Sequence, residues 1–177
     1  ELLAQGLGRS APGLENRGRS EIQPVSPRRI LILGGTGFIG PHMVRYAVER
    51  GHEVTIFTRG RTQADIPHVE HLIGDRANDL TALAGRSWDV VLDNNARDYR
   101  WVRLSTDLLW DATEHYLFVS SISAYAGETT GFQGGERVFW EPTLDESAPL
   151  IPFPPDFQDG EEAAYGLSKT LGEEAAR

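Results

Sequence analysis

A glycine-rich turn between an apolar run and a helical pattern constrains this chain more than any other feature. Residues 30–33 are apolar, and residues 34–40 read GGTGFIG. The order strand, turn, helix can present the free N–H groups of a helix end to a phosphate. A tight turn uses backbone angles that glycine adopts at low cost, and a pyrophosphate approaches the amides only where no Cβ intervenes. The sequence therefore predicts a dinucleotide-binding turn that depends on Gly34, Gly37 and Gly40, and the alternative is a purely structural turn.

The spacing of these glycines is typical of one group of proteins. It is Gly-x-x-Gly-x-x-Gly rather than Gly-x-Gly-x-x-Gly. This spacing resembles the short-chain dehydrogenase/reductase superfamily, and the Gly-Phe-Ile-Gly ending resembles its extended, epimerase/dehydratase branch. The resemblance extends over roughly residues 28–177 and implies an NAD(P)-binding Rossmann fold. It also implies that the cofactor contacts Gly34, Gly37, Phe38, Ile39 and Gly40.

Composition favours a small-molecule partner over a nucleic acid. The chain has 177 residues, of which 40% are hydrophobic, so it can bury one substantial core. Its net charge of −9 would repel a phosphate backbone unless a local basic patch intervened. No stretch reaches the length of a membrane span. The sequence has no cysteine, which excludes disulfides and thiolate metal sites, and no metal site is predicted.

The first 27 residues are predicted to be a disordered leader. They are rich in Gly, Pro, Ser and Arg and lack a sustained apolar period, so they cannot bury enough surface to offset their ordering. The chain begins with Glu, and residues 2–4 read LLA, which is also compatible with the end of an export signal. We expect a cytoplasmic protein, with an exported protein as the alternative.

From residue 28 onward, strand and helix patterns alternate, which predicts a doubly wound parallel α/β sheet. The expected strand order is 3-2-1-4-5, with a ligand crevice at the carboxyl ends of strands one and four. A long loop is expected at 127–160. The predicted strands are 29–33, 53–58, 69–73, 88–92 and 115–120, and the predicted helices run from about Phe38 to Arg50, over 80–84 and over 101–113.

The residues after the second strand favour NADP over NAD. At the place where the extended branch usually has an Asp that binds the adenosine ribose, this sequence has Thr58, followed by Arg59 and Arg61. A carboxylate would repel a 2′-phosphate, whereas guanidinium groups can bind one through charge-assisted hydrogen bonds. The alternative is that both arginines are solvated loop charges.

Two further strand ends supply candidate cofactor contacts. Asp75 and Arg76 follow strand three, and Gly-Asp there resembles the pair of the extended branch whose Asp holds the adenine amino group. Asn94 and Asn95 follow strand four and resemble the Asn-Asn-Ala-Gly segment of the shorter branch, although Arg97 replaces its Gly. The resemblance implies cofactor contacts at these four residues. The alternatives are a turn Asp and side chains that cap a strand end.

A Tyr-x-x-x-Lys pair is the candidate catalytic motif. Tyr165 and Lys169 lie four residues apart and therefore share one helix face. A nearby ammonium stabilises a phenolate, so the tyrosine can exchange a proton with a substrate hydroxyl or carbonyl while a hydride moves. By resemblance, Lys169 also binds the nicotinamide ribose. The resemblance also selects Ser121, four residues before Tyr125, to hold the reacting oxygen, with Ser123 as the alternative.

These motifs lead to three functional hypotheses. The first is an NAD(P)-dependent epimerase or dehydratase acting on a sugar nucleotide. The second is an NADP-dependent reductase of a small carbonyl compound, and the third is a non-catalytic dinucleotide-sensing or RNA-associated relative. The sequence stops eight residues after Lys169, so the resemblance implies that further strands and a substrate domain follow. A homodimer of the full-length protein is compatible with this resemblance.

Overall fold

The computed structural model of the chain describes residues 26–62, 66–94, 96–126, 145 and 147–177, with the backbone of 130–133 and 136–139. Of the predicted leader, only residues 26 and 27 are described. The strands are β1 (Arg29–Leu33), β2 (Glu53–Thr58), β3 (Val69–Ile73), β4 (Trp88–Asp93), β5 (Thr113–Phe118), β6 (Thr130–Gln133) and β7 (Glu136–Phe139). The α-helices are α1 (Gly40–Glu49), α2 (Tyr99–Leu109) and α3 (Tyr165–Ala175).

The first five strands form one parallel sheet in the order β3-β2-β1-β4-β5, which confirms the predicted topology. Strand β1 is central, and its last residue, Leu33, pairs with Phe57 of β2 and with Asp93 of β4. The carboxyl ends of these three strands therefore lie level at one edge of the sheet. The loops that follow them meet there, which is the position predicted for a ligand crevice.

Alternating residues of the strands build a separate core on each face of the sheet, as the period of two requires. Leu31 and Leu33 of β1 pack on one face with Trp88, whereas Ile30 and Ile32 pack on the other with residues of α1. Because residues 30–33 of β1 are buried on both faces, they form a continuous apolar run, and only Arg29 is exposed. Helices on both sides make this a three-layer α/β fold.

A third apolar cluster joins α2 to α3. It consists of Tyr99, Leu167 and Leu171, with Phe157 among the residues packed against it. Helix α3 also lies close to β5, since a Cβ placed on Gly172 would be 2.8 Å from the Phe118 ring. This packing holds the first turn of α3 beside the carboxyl edge of the sheet.

Several predicted boundaries are wrong; α2, for example, ends at Leu109 rather than at 113. Strand β5 covers Thr113–Phe118 rather than 115–120, because its register follows β4 and its polar first residues give no apolar signal. The predicted helix at 80–84 is a single 3₁₀ turn at Thr81–Leu83, where the Asp79 side chain accepts hydrogen bonds from the amide and hydroxyl of Thr81. Helix α2 begins two residues before the predicted start, because Asp98 caps it by accepting from the Arg100 amide.

The region predicted as a long loop contains regular structure. Strands β6 and β7 pair antiparallel within it, and the sequence analysis did not predict this pairing. No helix within the described parts of the chain combines the length and the apolar character needed to cross a bilayer.

Candidate active site

The glycine turn after β1 has the geometry that its sequence predicts. Gly34 and Gly35 have φ values of +113° and +102°, a region that favours glycine. A Cβ on Gly40 would lie 2.5 Å from the carbonyl carbon of Gly35, so α1 can lie this close to the turn only with glycine at that position. A Cβ on Gly37 would meet nothing within 4 Å. Gly40 is thus required for packing, whereas Gly37 leaves the rim of the turn open.

Gly35 is a residue of this turn that the sequence analysis did not select. Besides its positive φ, a Cβ on Gly35 would lie 2.9 Å from Cγ2 of Ile56 in β2. The adjacent pair of glycines was a usable signal, because backbone with a positive φ favours glycine. The side chains of Phe38 and Ile39 are exposed, at 97% and 55%, and face solvent at the start of α1.

Seven of the predicted cofactor residues line one cleft beside this turn, whereas five others that the structure describes, Phe38, Ile39, Gly40, Asn94 and Lys169, are not among its lining residues. Thr58, Arg59 and Arg61 come to it from the loop after β2, and both arginines are exposed. The Thr58 hydroxyl lies 2.7 Å from Nε2 of His71 and accepts a hydrogen bond from the Gly60 amide. Other residues of the cleft wall are Gly34, Thr36, Gly37, Phe57, Thr62, Gly74, Asp75, Arg76 and Trp101.

The two candidates after β3 differ in where their charges point. The Asp75 carboxylate accepts a hydrogen bond from the Ala77 amide and so closes a turn. Arg76 directs its guanidinium inward to Asp93, with distances of 2.5 Å from Nη1 to Oδ1 and 2.6 Å from Nη2 to Oδ2. Asp93 is completely buried and Arg76 is 9% exposed. Arg76 therefore borders the cleft while its charge is neutralised beneath it.

Asp93 is the centre of a buried polar network that the sequence analysis did not select. The Tyr116 hydroxyl donates to Oδ2 of Asp93 at 2.8 Å. Nη2 of Arg76 also donates to the Trp101 carbonyl and to Oγ of Ser105. Burial, together with the Asp93 charge, raises the pKa of Tyr116. An acidic residue at the end of an apolar strand was the only signal for this network.

The asparagines after β4 are only partly described. Oδ1 of Asn94 is buried and has no hydrogen-bond partner among the described residues. Asn95 lies outside the described residues. A buried amide oxygen without a partner at the carboxyl end of a central strand is compatible with a contact to a bound group.

Tyr165 and Lys169 lie one turn apart at the start of α3. Tyr165 is the first residue of the helix and is 47% exposed, whereas Lys169 is 6% exposed. Nζ of Lys169 lies 5.7 Å from the centroid of the Tyr165 ring and 4.6 Å from that of Phe118. It donates a hydrogen bond to the Val119 carbonyl at 2.7 Å. Burial lowers the pKa of Lys169, and the Asp93 carboxylate partly opposes this.

Ser121 lies in the turn that α3 contacts. The turn follows β5, and Oγ of Ser121 accepts a hydrogen bond from the Ser123 amide at 3.2 Å. A Cβ on Gly166 would lie within 2.5 Å of the Ser123 carbonyl oxygen, and the Thr170 hydroxyl donates to the Ala124 carbonyl. Backbone contact thus joins the Ser121 turn to the helix that carries Tyr165 and Lys169. Gly166 is a second glycine whose role the sequence analysis missed.

The described residues contain no group of three or more His, Asp or Glu side chains arranged to hold a metal ion. The site brings together a phenol and an ammonium on one helix turn and a serine hydroxyl on the adjoining turn. A cleft bordered by a glycine turn and two arginines lies at the same edge of the sheet.

Two curated proteins are similar to parts of this chain. The chloroplast stem-loop binding protein of 41 kDa b of Arabidopsis thaliana is 34% identical over 126 residues, which are 62% of this chain and 33% of that protein. The 2-alkyl-3-oxoalkanoate reductase of Stenotrophomonas maltophilia is 38% identical over 77 residues, which are 41% of this chain and 23% of that protein. The matched parts thus span a third or less of these two relatives.

A solved enzyme shares the fold. WbmG of Bordetella bronchiseptica in complex with NAD has a TM-score of 0.62 and 17% identity, over 88% of this chain and 51% of that one. The complex of WbmG with NAD and UDP has a TM-score of 0.58, over 85% of this chain and 49% of that one. The chain therefore spans about half of this solved structure, and at this low identity the likeness establishes the fold alone.

The profile of the NAD dependent epimerase/dehydratase family matches residues 30–177. The matched region contains the parallel sheet, the glycine turn and α3. It covers most of the chain and agrees with the resemblance of the sequence motifs. This chain belongs to the NAD-dependent epimerase/dehydratase family.

Proposed function

We propose that the full-length protein is an NAD(P)-dependent epimerase or dehydratase that acts on a sugar nucleotide. The observation that carries this proposal is the contact between the first turn of α3, with Tyr165 and Lys169, and the Ser121 turn at the cleft-bearing edge of the sheet. Family membership supports the reaction class. The sugar-nucleotide substrate is supported by WbmG, which has been solved with NAD and UDP.

The described residues fit a dinucleotide cofactor. Gly34 and Gly35, with their positive φ values, form a tight turn, and Gly37 adds no side chain to the open side of this turn. The amino end of α1 follows directly, and its helix dipole favours negative charge. We propose that Gly34, Gly37 and Gly40 receive the pyrophosphate of NAD(P) and that Asp75 and Asn94 contact its other groups. When bound, this cofactor supplies and accepts a hydride.

The residues of this chain have separate roles in the proposed reaction. Tyr165, as the phenolate, removes a proton from a substrate hydroxyl and later returns it. A substrate can reach its side chain because Tyr165 lies at the partly exposed start of α3. Lys169 places an ammonium next to the Tyr165 ring and stabilises the phenolate. Ser121 donates a hydrogen bond to the reacting oxygen and fixes its distance from the phenol.

Turnover without net cofactor consumption is the test of this proposal. The full-length protein would be purified, its bound cofactor identified after denaturation, and UDP-hexoses supplied while proton NMR follows the sugar. We expect retained cofactor and conversion of the hexose with no stoichiometric loss of NAD(P)H. Stoichiometric consumption of NADPH with a small carbonyl compound would instead establish a reductase, the candidate that the Stenotrophomonas maltophilia relative favours.

A second candidate, an RNA-associated protein, is favoured by the identity with the Arabidopsis stem-loop binding protein. The net charge of −9 opposes it. Two arginines of α2 are also neutralised, because Arg100 pairs with Asp98 and Arg103 pairs with Asp159. We expect no binding of an RNA hairpin at physiological ionic strength. If the full-length protein bound an RNA hairpin tightly and converted no UDP-hexose, the RNA-associated function would replace our proposal.

We propose that the cofactor is NADP rather than NAD, because Arg59 and Arg61 line the cleft beside the glycine turn. Replacing both with alanine is expected to raise the Kd for NADP by about tenfold or more, since charge-assisted hydrogen bonds to a phosphate are lost. The Kd for NAD should change little. Calorimetry on the full-length protein measures both, and Arg45→Ala, on the exposed face of α1, is the control. Tighter binding of NAD than of NADP to the wild type would contradict the proposal.

A further inference from the structure

We propose that Tyr99 is a positioning residue for the active-site helix, and that its hydroxyl fixes the segment that leads into Tyr165. The inference rests on the proposed function, because it assigns Tyr99 to the geometry of the proposed proton-transfer site. It adds a residue that no motif of the sequence singled out. Tyr99 is the first residue of α2 and is completely buried.

Tyr99 is hydrogen-bonded to the chain on both sides of Tyr165. Before Tyr165, the Gly160 amide donates to the Tyr99 hydroxyl at 2.6 Å, and this hydroxyl lies 3.4 Å from Oδ1 of Asp159. After Tyr165, the Tyr99 amide donates to Oγ of Ser168 at 2.8 Å. One residue of α2 therefore holds a point five residues before Tyr165 and another three residues after it.

The ring of Tyr99 is held in place by its own contacts. It packs against Phe157, with 6.3 Å between ring centroids, and belongs to the cluster with Leu167 and Leu171. The Arg103 guanidinium lies 5.5 Å from the ring centroid and pairs with Asp159 at 2.6 Å. The hydroxyl thus has a fixed position from which to hold Gly160.

A second link connects the same segment to α2. Nη1 of Arg100 donates to the Gly160 carbonyl at 3.1 Å, so both backbone groups of Gly160 are bound by α2 side chains. Gly160 has a φ of +93°, a conformation suited to glycine. The chain therefore enters α3 from a turn whose orientation is set by Tyr99 and Arg100.

The hydroxyl is the part of Tyr99 that packing alone does not require. A phenylalanine would fill the same apolar cluster, whereas a phenol buried there needs hydrogen-bond partners. Its principal partner is a backbone amide of an exposed turn, which water can solvate when the bond is lost. Tyr99→Phe should thus free the segment before Tyr165 while preserving the core.

The test compares Tyr99→Phe with wild type in the full-length protein. Amide hydrogen exchange followed by mass spectrometry reports on the segment at 157–164, independently of catalysis. Steady-state kinetics with UDP-hexose give kcat and KM, and calorimetry gives the Kd for NAD(P). We expect faster exchange in this segment, a kcat lower by about 10- to 100-fold, and an unchanged Kd for the cofactor. Tyr46→Phe, at an exposed tyrosine of α1, is the matched control.

Three results would overturn the inference. Unchanged exchange at 157–164 would show that the hydroxyl does not fix the segment, whether or not the protein turns over UDP-hexose. Faster exchange with unchanged kcat would show that this segment does not position Tyr165. If wild type converts no UDP-hexose, the proposed function fails, whereas the exchange measurement still decides whether Tyr99 holds the segment. Phe157→Leu loosens the same cluster without removing the hydroxyl, so a kcat loss of equal size there would also overturn the role of the hydroxyl.

Discussion

Tyr165→Phe is expected to lower kcat of the full-length protein by about 10²- to 10⁴-fold, the usual contribution of a general acid-base group. The substitution removes the Tyr165 hydroxyl at the start of α3 but leaves the aromatic ring next to Lys169. Because Tyr165 does not line the cleft beside the glycine turn, the Kd for NAD(P) should be unchanged. Steady-state kinetics and cofactor titration on the same preparation check both quantities.

The control for this prediction is Tyr125→Phe. Tyr125 lies on the same turn as Ser121, and its backbone pairs with Leu150. Its substitution therefore removes a second phenol near the site that has no role in the proposed reaction. We expect its kcat to stay within about threefold of wild type. Equal activity of Tyr165→Phe and wild type would remove Tyr165 from the reaction and favour the non-catalytic candidate.

Arg76→Met is expected to destabilise the protein by about 3 to 5 kcal/mol, since it leaves the buried carboxylate of Asp93 without its cation. Both oxygens of Asp93 bind Arg76, and Asp93 is completely buried. Urea unfolding of the full-length protein measures the change. The double variant Arg76→Met, Asp93→Leu should recover part of the lost stability, because no isolated charge then remains buried.

An exposed pair of the same chemistry provides the control for burial. Arg86 binds both oxygens of Glu70, at 2.7 and 2.9 Å, but both side chains are more than two fifths exposed. Arg86→Met should therefore destabilise the protein far less than Arg76→Met, because water solvates the remaining carboxylate. Equal losses for the two arginines would mean that burial does not determine the effect.

The sheet was predictable from sequence because its signals are local. The apolar run of β1, the glycines that follow it and the alternation of strands and helices identify the parallel sheet and its order. The ends of β5 were not predictable in the same way. This strand lies at the edge of the described sheet and begins with polar residues, so its limits come from pairing with β4 rather than from its own pattern.

The candidate site was predictable only where a motif carries it. The glycine turn and the Tyr165 and Lys169 pair have fixed spacings, and the structure brings them to one edge of the sheet. Arg76 with Asp93, and Tyr99 with Gly160, are joined across 17 and 61 residues and leave no periodic signal. Which carboxylate pairs with Arg76 depends on three-dimensional packing. The sequence could therefore identify Arg76 as a candidate but not its ion-pair partner.

The hydrogen bond from Lys169 to the Val119 carbonyl makes the position of the Lys169 amine depend on the register of β5. The Val119 amide itself donates to the Asp93 carbonyl and extends the ladder between β4 and β5 by one residue. Successive carbonyls along an extended chain point in opposite directions. A slip of β5 by one residue would therefore turn the acceptor away from Lys169 and remove the hydrogen bond that fixes its amine.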